Sequence, residues 1–233
     1  MSVKDGRDYL YLIWKSEKSR KQYIVGILSK NGQYEFCYGD EVGEAIADGF
    51  TPLISFPDVK AVYKNELLFP VFMSRLPDKK RKDISAILKK YGMDEFEPYT
   101  LLKRSGARLP IDNLEFIDPI LDFNEAFHRV FYLAGARHYI GCNGSQCDTA
   151  VEVVRGDEVL LRPEPDNAED HNAVAVYTVR NQKMGYVPRY YCEAVLRLMN
   201  DGRKVQCYVY NVSQDTNCHE CVSLDLVVGG LLI

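Results

Sequence analysis

The sequence lacks any long apolar run. No stretch approaches the roughly 18 consecutive apolar residues that a membrane-spanning helix requires. The first residues, Met1 to Asp8, are mostly polar or charged and lack the apolar centre of a secretory signal. We therefore expect a protein that does not span a membrane and that remains in the cytoplasm.

An excess of positive charge is also absent. The 233 residues include 29 Lys and Arg against 33 Asp and Glu, which gives a formal net charge of −4. Each half of the chain contains slightly more acidic than basic residues. Proteins that coat nucleic acid through many phosphate contacts are strongly basic, so any nucleic-acid binding here has to be local.

Recognisable catalytic motifs are missing as well. The sequence contains no P-loop, nucleophile elbow, HExxH pair or cluster of metal-binding acids. Asp170 and His171 are neighbours, but adjacency in sequence does not make a catalytic pair. We expect a protein that is not an enzyme and that uses no cofactor.

The seven cysteines are an odd number and come without an export signal, so reduced thiols are expected. Four of them form two groups, Cys142 with Cys147 and Cys218 with Cys221, and two thiol pairs are suitable ligands for zinc. The first pair is loosely spaced, and about 70 residues separate the pairs. Free thiols are the favoured interpretation, and a structural zinc site remains the alternative.

The first half has the pattern of a small mixed α/β domain. Strands are predicted at residues 9–14, 23–28 and 34–38. Asn31-Gly32 lies between the second and third strands and is a strong hairpin signal. Apolar residues at helical spacing predict a helix capped by Asp78 and ended by Gly92, and a shorter helix from Pro98 to just before Gly106.

The second half has the pattern of a small barrel. Strands are predicted at residues 130–137, 158–162, 173–179, 183–187, 205–212 and 221–228, and one helix begins at or just after Pro188. Several short strands with one helix are typical of a closed or nearly closed barrel. The acidic segment 112–122, with Pro119, is predicted to be the connector. The sequence therefore predicts an α+β protein with domains at 1–120 and 121–233.

One polar motif in the second half is too specific for an ordinary turn. Asn167, Asp170 and Asn172 precede an alternating strand directly, and Gly185 and Arg189 mark the end of the next strand. Asn and Asp side chains stabilise turns by bonding the nearby backbone. A structural turn explains one or two of these residues, but it does not explain all five together.

These residues resemble the N-x-x-D-x-N-A and G-x-x-P-R segments of the HIRAN domain. The segment 135–141, in which an arginine is followed by ring-bearing residues, resembles that family's first strand. The resemblance covers about residues 131–228 and implies an OB-like barrel with one or two helices. In helicase-like transcription factors this domain holds the 3′ end of single-stranded DNA.

The resemblance also implies a binding surface. Its residues would be Arg137, His138, Tyr139, Asn167, Asp170, Tyr186 and Arg189. Arg137 and Arg189 would contact phosphates, and His138 would stack on a base, with Tyr186 near the strand. Asn167 and Asp170 would hold the terminal nucleotide, with the Asp170 carboxylate accepting the 3′-hydroxyl. Stacked rings bind any base, which implies binding without sequence preference.

Three acids and one substitution weaken the expected binding. His138 stands where an aromatic residue is common and stacks less strongly, and Glu169 stands where DNA-binding relatives can carry a tyrosine. Glu164 and Asp166 add negative charge nearby. We therefore expect weaker DNA binding than in the strongest family members.

The first half resembles the N-terminal subdomain of HipA-like toxin kinases. The resemblance is carried over about residues 9–116 by segments 25–28, 32–38, 52–57, 72–77 and 101–106. In that family the subdomain is a small α+β unit that precedes the kinase core and helps to contact an antitoxin. No kinase core follows it here, so the resemblance implies a protein partner for residues 1–120 and no kinase activity.

Two functions follow as expectations. The leading one is a non-enzymatic module that recognises 3′ ends of single-stranded DNA, in DNA repair, phage defence or mobile-element biology, and whose first domain binds a protein. The alternative is a protein-interaction factor of the toxin–antitoxin kind, in which the barrel is only a scaffold.

Overall fold

The computed structural model describes residues 8–121, 125–140, 153–213 and 221–231. The chain divides into two compact units, Met1–Pro119 and Ile120–Ile233. Each unit combines an antiparallel sheet with short helices, so the protein has the predicted α+β class. Within the described ranges, no helix is long and apolar enough to cross a membrane.

The first unit is built on a five-stranded sheet in the order β4-β3-β2-β1-β5. The strands are β1 (Asp8–Lys15), β2 (Gln22–Asn31), β3 (Gln33–Tyr38), β4 (Tyr63–Asn65) and β5 (Leu114–Ile117). The helices are α1 (Val42–Ala47), α2 (Pro70–Met73), α3 (Ile84–Lys90) and α4 (Pro98–Ser105). The predicted hairpin is confirmed: β2 and β3 meet at Gly32, whose φ of 75° suits a residue without a side chain.

Aromatic rings fill the core of this unit. Phe36 lies with its ring centroid 4.4 Å from that of Phe56 and 5.2 Å from that of Phe72, and the Phe72 ring lies 5.0 Å from that of Phe116. These rings come from β3, β5, α2 and the loop that follows α1, and all are buried. Their packing joins the sheet to the helices, because large aromatic side chains contribute much buried apolar area.

The helix predicted from Asp78 is shorter than expected. α3 begins at Ile84, and Asp78 instead accepts a hydrogen bond from the Lys80 amide at 2.8 Å in an isolated turn. The intervening basic residues have no apolar stripe to hold them against the core, so helical spacing starts only at Ile84. The second helix is confirmed from Pro98 to Ser105, and Gly106 ends it with a φ of 69°.

The predicted connector at 112–122 is wrong over most of its length. Leu114–Ile117 forms β5 and pairs with β1, where Phe116 lies opposite Leu12. Asp112 is also fixed, because both of its carboxylate oxygens accept hydrogen bonds from the buried Arg75 guanidinium at 2.6 and 2.9 Å. The acidic composition of this segment is typical of a connector, but the segment contributes a strand and an ion pair to the first unit.

The second unit is built on a six-stranded sheet in the order β6-β11-β10-β7-β8-β9. The strands are β6 (Phe127–Tyr132), β7 (Glu158–Pro163), β8 (Val174–Thr178), β9 (Lys183–Tyr186), β10 (Arg203–Val212) and β11 (Val222–Leu231). Ala134, just after β6, exchanges two backbone hydrogen bonds of 2.9 Å with Tyr186 of β9. The sheet therefore curves into a half-barrel, and its two edge strands, β6 and β9, approach each other at this bridge.

Two helices complete the second unit, α5 (Ala136–Tyr139) and α6 (Arg189–Asn200). The helix predicted after Pro188 is confirmed as α6, and it buries Tyr191, Val195 and Leu198. The strand predicted at 130–137 is wrong beyond Tyr132. Gly135 has a φ of 71° and turns the chain, and the buried pair Ala136 and Ile140 has helical spacing.

Candidate functional site

The turn before β8 is organised by the side chain of Asn167. Its Oδ1 accepts hydrogen bonds from the amides of Glu169 at 3.0 Å and Asp170 at 3.3 Å. Asp170 in turn accepts a hydrogen bond at Oδ1 from the Asn172 amide at 2.9 Å. These bonds stabilise the turn and leave the other end of the Asn167 amide available to contact the rest of the unit.

That other end connects the turn to β9. The Asn167 Nδ2 donates hydrogen bonds to Glu164 Oε2 at 3.1 Å and to the Tyr186 hydroxyl at 3.3 Å. The Tyr186 hydroxyl also donates to Glu164 Oε2 at 2.9 Å. Asn167 and Tyr186, both predicted site residues, are therefore joined through Glu164.

Lys183 is the centre of this network. Its Nζ donates hydrogen bonds to Glu164 Oε1 at 2.7 Å and to the Tyr186 hydroxyl at 2.6 Å. Bonds between charged partners are stronger than neutral ones, so the Lys183–Glu164 pair holds the network together.

Three tyrosine rings surround the same ammonium group. The Lys183 Nζ lies 4.2 Å from the ring centroid of Tyr186, 5.1 Å from that of Tyr139 and 5.9 Å from that of Tyr177. The Tyr139 and Tyr186 rings are 5.8 Å apart at an angle of 72°. We call Lys183, Glu164, Tyr139 and Tyr186 the ring cluster, and the more distant Tyr177 lies at its edge. Cations are attracted to the faces of aromatic rings, which stabilises this arrangement.

A β-bulge explains why Lys183 and Tyr186 share a face. Two residues three positions apart on a regular strand would point to opposite faces. Here Tyr177 pairs with Lys183 while Val176 pairs with Gly185, so Met184 is an extra residue on β9. The bulge reverses the alternation, buries Met184 and brings the lysine beside the tyrosine.

The protonation states in the cluster follow from these contacts. Burial disfavours the charged form of Lys183, but hydrogen bonds to Glu164 and Tyr186 outweigh it and raise the pKa of Lys183. Burial also acts against ionised Glu164, yet the bonds from Lys183, Asn167 and Tyr186 lower the pKa of Glu164 overall. Burial raises the pKa of Tyr186 to about 12. At neutral pH the cluster therefore contains a cation, a carboxylate and a neutral phenol.

Asp170 and Arg189 form an ion pair beside the turn. The Arg189 Nε lies 4.0 Å from Asp170 Oδ2, and Arg189 is the first residue of α6. The structure thus brings the predicted carboxylate and one predicted arginine together. Asp170 is linked to the ring cluster through Asn167, whose Oδ1 accepts the Asp170 amide.

Arg137 and His138 lie on α5, the same helical turn that carries Tyr139. Both are exposed, and the Arg137 Nε donates a hydrogen bond to His138 Nε2 at 3.2 Å. Of the three, Tyr139 is the residue that reaches the ring cluster. The expected order of an arginine followed by rings is present, but on a helical turn instead of a strand.

Sequence reasoning gave three side chains at or beside the site no binding role. Lys183 and Tyr177 were read only as strand residues, and Glu164 only as a nearby acid. The pairing shift at Met184 that turns Lys183 toward the site has no simple sequence signal, since a bulge depends on the partner strand. The lysine at the start of β9, three residues before Tyr186, was the available indication.

Gly185 is required where the half-barrel closes. A Cβ atom there would clash with the Ala134 carbonyl oxygen and crowd the Leu133 side chain, and the φ of 152° disfavours other residues. The glycine of the G-x-x-P-R segment therefore lets the backbone after β6 approach β9.

The zinc alternative lies mostly outside the described residues. Cys142, Cys147 and Cys218 fall there, and Cys221 is buried. In the part of the chain that the structure describes, no group of three or more His, Cys, Asp or Glu side chains is arranged to hold a metal ion.

Two family models match the chain. Residues 127–229 match the HIRAN domain. The second unit carries a HIRAN domain. Residues 20–110 match the HipA N-terminal domain, so the first unit is HipA N-terminal-like. No curated protein sequence matches the chain.

Three solved structures are similar to part of the chain. The HIRAN domain of human HLTF is 18% identical over 47% of this chain and 78% of that chain, with a TM-score of 0.35. The HLTF HIRAN domain in its DNA-bound conformation is 21% identical over 46% and 80%, with a TM-score of 0.34. A protein from Lactobacillus plantarum is 26% identical over 45% and 93%, with a TM-score of 0.35.

Proposed function

We propose that the HIRAN domain binds single-stranded DNA and recognises its 3′ end without acting on it as an enzyme. The observation that carries the proposal is the ring cluster, in which tyrosine rings and an ammonium group lie next to the turn that holds Asn167 and Asp170. The HIRAN family match supports the same function.

The chemistry of the surface suits a strand end. Flat rings such as Tyr139, which is 38% exposed, stack on any base. Arg137 and Arg189 supply positive charge for phosphates. The Asp170 carboxylate lies beside Arg189 and can accept a hydrogen bond from a terminal hydroxyl, whereas a terminal phosphate would bring like charge against it.

The acids around the site limit its affinity. The Lys183 charge is balanced by Glu164 at 2.7 Å, and the exposed Asp166 and Glu169 lie in the same turn. Few uncompensated cations remain to release counterions from DNA. Binding should therefore be weak to moderate and depend only shallowly on salt.

A binding titration with two matched strands tests the proposal. Fluorescence anisotropy should show that a strand with a free 3′-hydroxyl binds roughly tenfold more tightly than the same strand with a 3′-phosphate, since a hydrogen bond to a charged group is worth about 1.5–3 kcal/mol. The control strand carries its extra phosphate at the 5′ end and should bind like the hydroxyl strand. Equal affinity for all three, or no binding at low salt, would contradict the proposal and favour the scaffold alternative.

We also propose that the first unit binds a protein partner. The supporting observation is a set of large apolar side chains that face solvent, Ile54 at 96%, Ile111 at 87% and Leu67 at 75% exposure. Exposed apolar surface is typical of interaction sites. A partner captured by the whole chain from its native host should be lost by the variant Ile54→Ser/Leu67→Ser and kept by Arg137→Ala. Retention by both variants would contradict this assignment.

A further inference from the structure

A second contact between a cation and a tyrosine ring lies beside the ring cluster. The guanidinium carbon of Arg162 on β7 is 4.5 Å from the ring centroid of Tyr177 on β8. Arg162 pairs with Ala175 in the sheet, so Tyr177 is its diagonal neighbour on the same face. Arg162 is exposed, whereas Tyr177 is half-buried. The guanidinium therefore lies over the tyrosine ring and is the more exposed of the two groups.

The hairpin between β8 and β9 holds this arginine in place. The Arg162 Nη1 donates a hydrogen bond of 2.5 Å to Asn181 Oδ1. Asn181 has a φ of 68°, a left-handed conformation that asparagine tolerates better than most residues. A long, flexible side chain is thus held by a ring contact and by a hydrogen bond before any ligand arrives.

Tyr177 connects this pair to the ring cluster. Its ring centroid is 5.9 Å from the Lys183 Nζ, and the Tyr186 centroid is 4.2 Å from the same atom. Side chains able to stack on bases therefore extend from Tyr186 on β9 through Tyr177 on β8 to Arg162 on β7, beyond the predicted terminal site. Recognition of the 3′ end alone gives Arg162 and Tyr177 no role.

We propose that Arg162 and Tyr177 form a second base-stacking subsite, which takes a nucleotide on the 5′ side of the terminal one. This inference rests on the proposed function. Unstacked bases stack on arginine planes as well as on aromatic rings, and the guanidinium is weakly hydrated, so covering it costs little. The subsite reads no base edge, which keeps binding independent of sequence. It lengthens the bound strand away from the 3′ end.

The test uses thymidine strands of increasing length, each with a free 3′-hydroxyl. Arg162→Ala and Tyr177→Leu should each weaken binding of the longer strands by about five- to tenfold, because one stacked base contributes about that much. The shortest strands, which fill the terminal site alone, should bind as they do to wild type. The preference for a 3′-hydroxyl over a 3′-phosphate should be unchanged in both variants.

Conservative variants separate stacking from charge. Tyr177→Phe keeps the ring and should bind like wild type, which also guards against a folding defect in Tyr177→Leu. Arg162→Lys keeps the charge but loses the plane, so it should bind long strands as weakly as Arg162→Ala. Full affinity in Arg162→Lys would show a phosphate contact and overturn the subsite.

A matched pair elsewhere in the same unit is the control. Arg155 lies 5.5 Å from the ring centroid of Tyr210, which is also exposed, on β10. Tyr210→Leu should leave binding of all strands unchanged. The subsite alone is overturned if wild type prefers the 3′-hydroxyl strand and the Arg162 and Tyr177 variants bind long strands as tightly as wild type does. Absence of any strand binding by wild type overturns the proposed function and the subsite together.

Discussion

The Lys183 ammonium and the Tyr186 hydroxyl lie 2.6 Å apart although the two residues are three positions apart on one strand. Only the bulge at Met184 allows this contact, and it brings the cation between the rings. The same contact lets Glu164 bind both groups at once. A local irregularity of β9 therefore determines the charge distribution of the proposed site.

The first prediction concerns the choice of strand end. Asp170→Ala should remove most of the preference for a 3′-hydroxyl, because the variant loses the acceptor and the charge that repels a phosphate. Arg189→Ala should weaken both strands by a similar factor, about three- to tenfold for one lost charged contact. Anisotropy titrations of both variants with both strands measure the two effects. A preference that survives in Asp170→Ala would place end recognition on another residue.

The second prediction concerns the balance of charge in the ring cluster. Glu164→Gln should raise DNA affinity by about threefold or more, because it removes a negative charge and leaves Lys183 unbalanced. Lys183→Met, which keeps a long apolar stem, should lower affinity by a similar factor. The gain in Glu164→Gln should shrink at high salt, where charges are screened. Equal affinity of both variants and wild type would exclude Lys183 from the interface.

The third prediction tests the closure of the half-barrel. Gly185→Ala should destabilise the second unit by about 2–4 kcal/mol, because the new methyl group meets the Ala134 carbonyl and the backbone is strained. Gly229→Ala is the matched control, since a Cβ there makes only ordinary contact with Lys204 at 3.4 Å. Urea unfolding followed by circular dichroism compares the two. Similar stability of both variants would contradict the account of the bridge.

The fourth prediction concerns the partly buried ion pair between Arg75 and Asp112 in the first unit. The Arg75 side chain is 6% exposed and donates to Asp112, Ala107 and Leu114. Arg75→Ala should lower the free energy of unfolding by about 2–4 kcal/mol. Arg81→Ala, which breaks the exposed pair with Asp83, should cost less than about 1 kcal/mol.

This pair also predicts a pH dependence. Burial acts to raise the pKa of Asp112, but the Arg75 guanidinium outweighs it and holds that pKa below its usual range. A lowered pKa means that the stabilisation is complete above about pH 4, the unfolded value, and is lost as the pH falls through the folded value. The stability difference between wild type and Arg75→Ala should therefore narrow below pH 4. A constant difference down to pH 2 would contradict this assignment.

The fifth prediction follows from the two units. If residues 1–120 and 121–233 are independent domains, a nonspecific protease at low dose should cut between residues 118 and 126 and leave two stable fragments. Cleavage within β5, Leu114–Ile117, should be slow because its backbone is bonded to β1. Mass spectrometry of the first fragments locates the cut. An initial cut inside 165–176 would contradict the boundary.

Local signals in the sequence were sufficient for several elements. Pro98 and Gly106 bound α4 because one suits a first helical turn and the other a left-handed end, and neither depends on distant contacts. Asn31-Gly32 specified its hairpin in the same way. The alternating pattern predicted a strand through Gly135, but the chain turns there and continues with helical spacing. Composition predicted a connector at Asp112, but this residue pairs with Arg75, 37 residues away.

The candidate site shows the same division. Asn167 and Asp170 were recognisable because their turn is made by their own backbone bonds. Lys183 and Tyr177 were not, since their positions depend on a register shift between two strands. Sequence motifs therefore identified the residues that shape the turn better than the residues that surround it.

The bridge between Ala134 and Tyr186 implies that a bound DNA strand would stabilise the closure of the second unit. Tyr139 follows the strand at one end of the sheet, and Tyr186 belongs to the strand at the other end. A nucleotide that contacts both rings would span the junction, so binding and closure must be thermodynamically linked. DNA should then slow hydrogen exchange at the Ala134 and Tyr186 amides more than at β10, and mutations that loosen the junction should weaken DNA binding without touching a nucleotide.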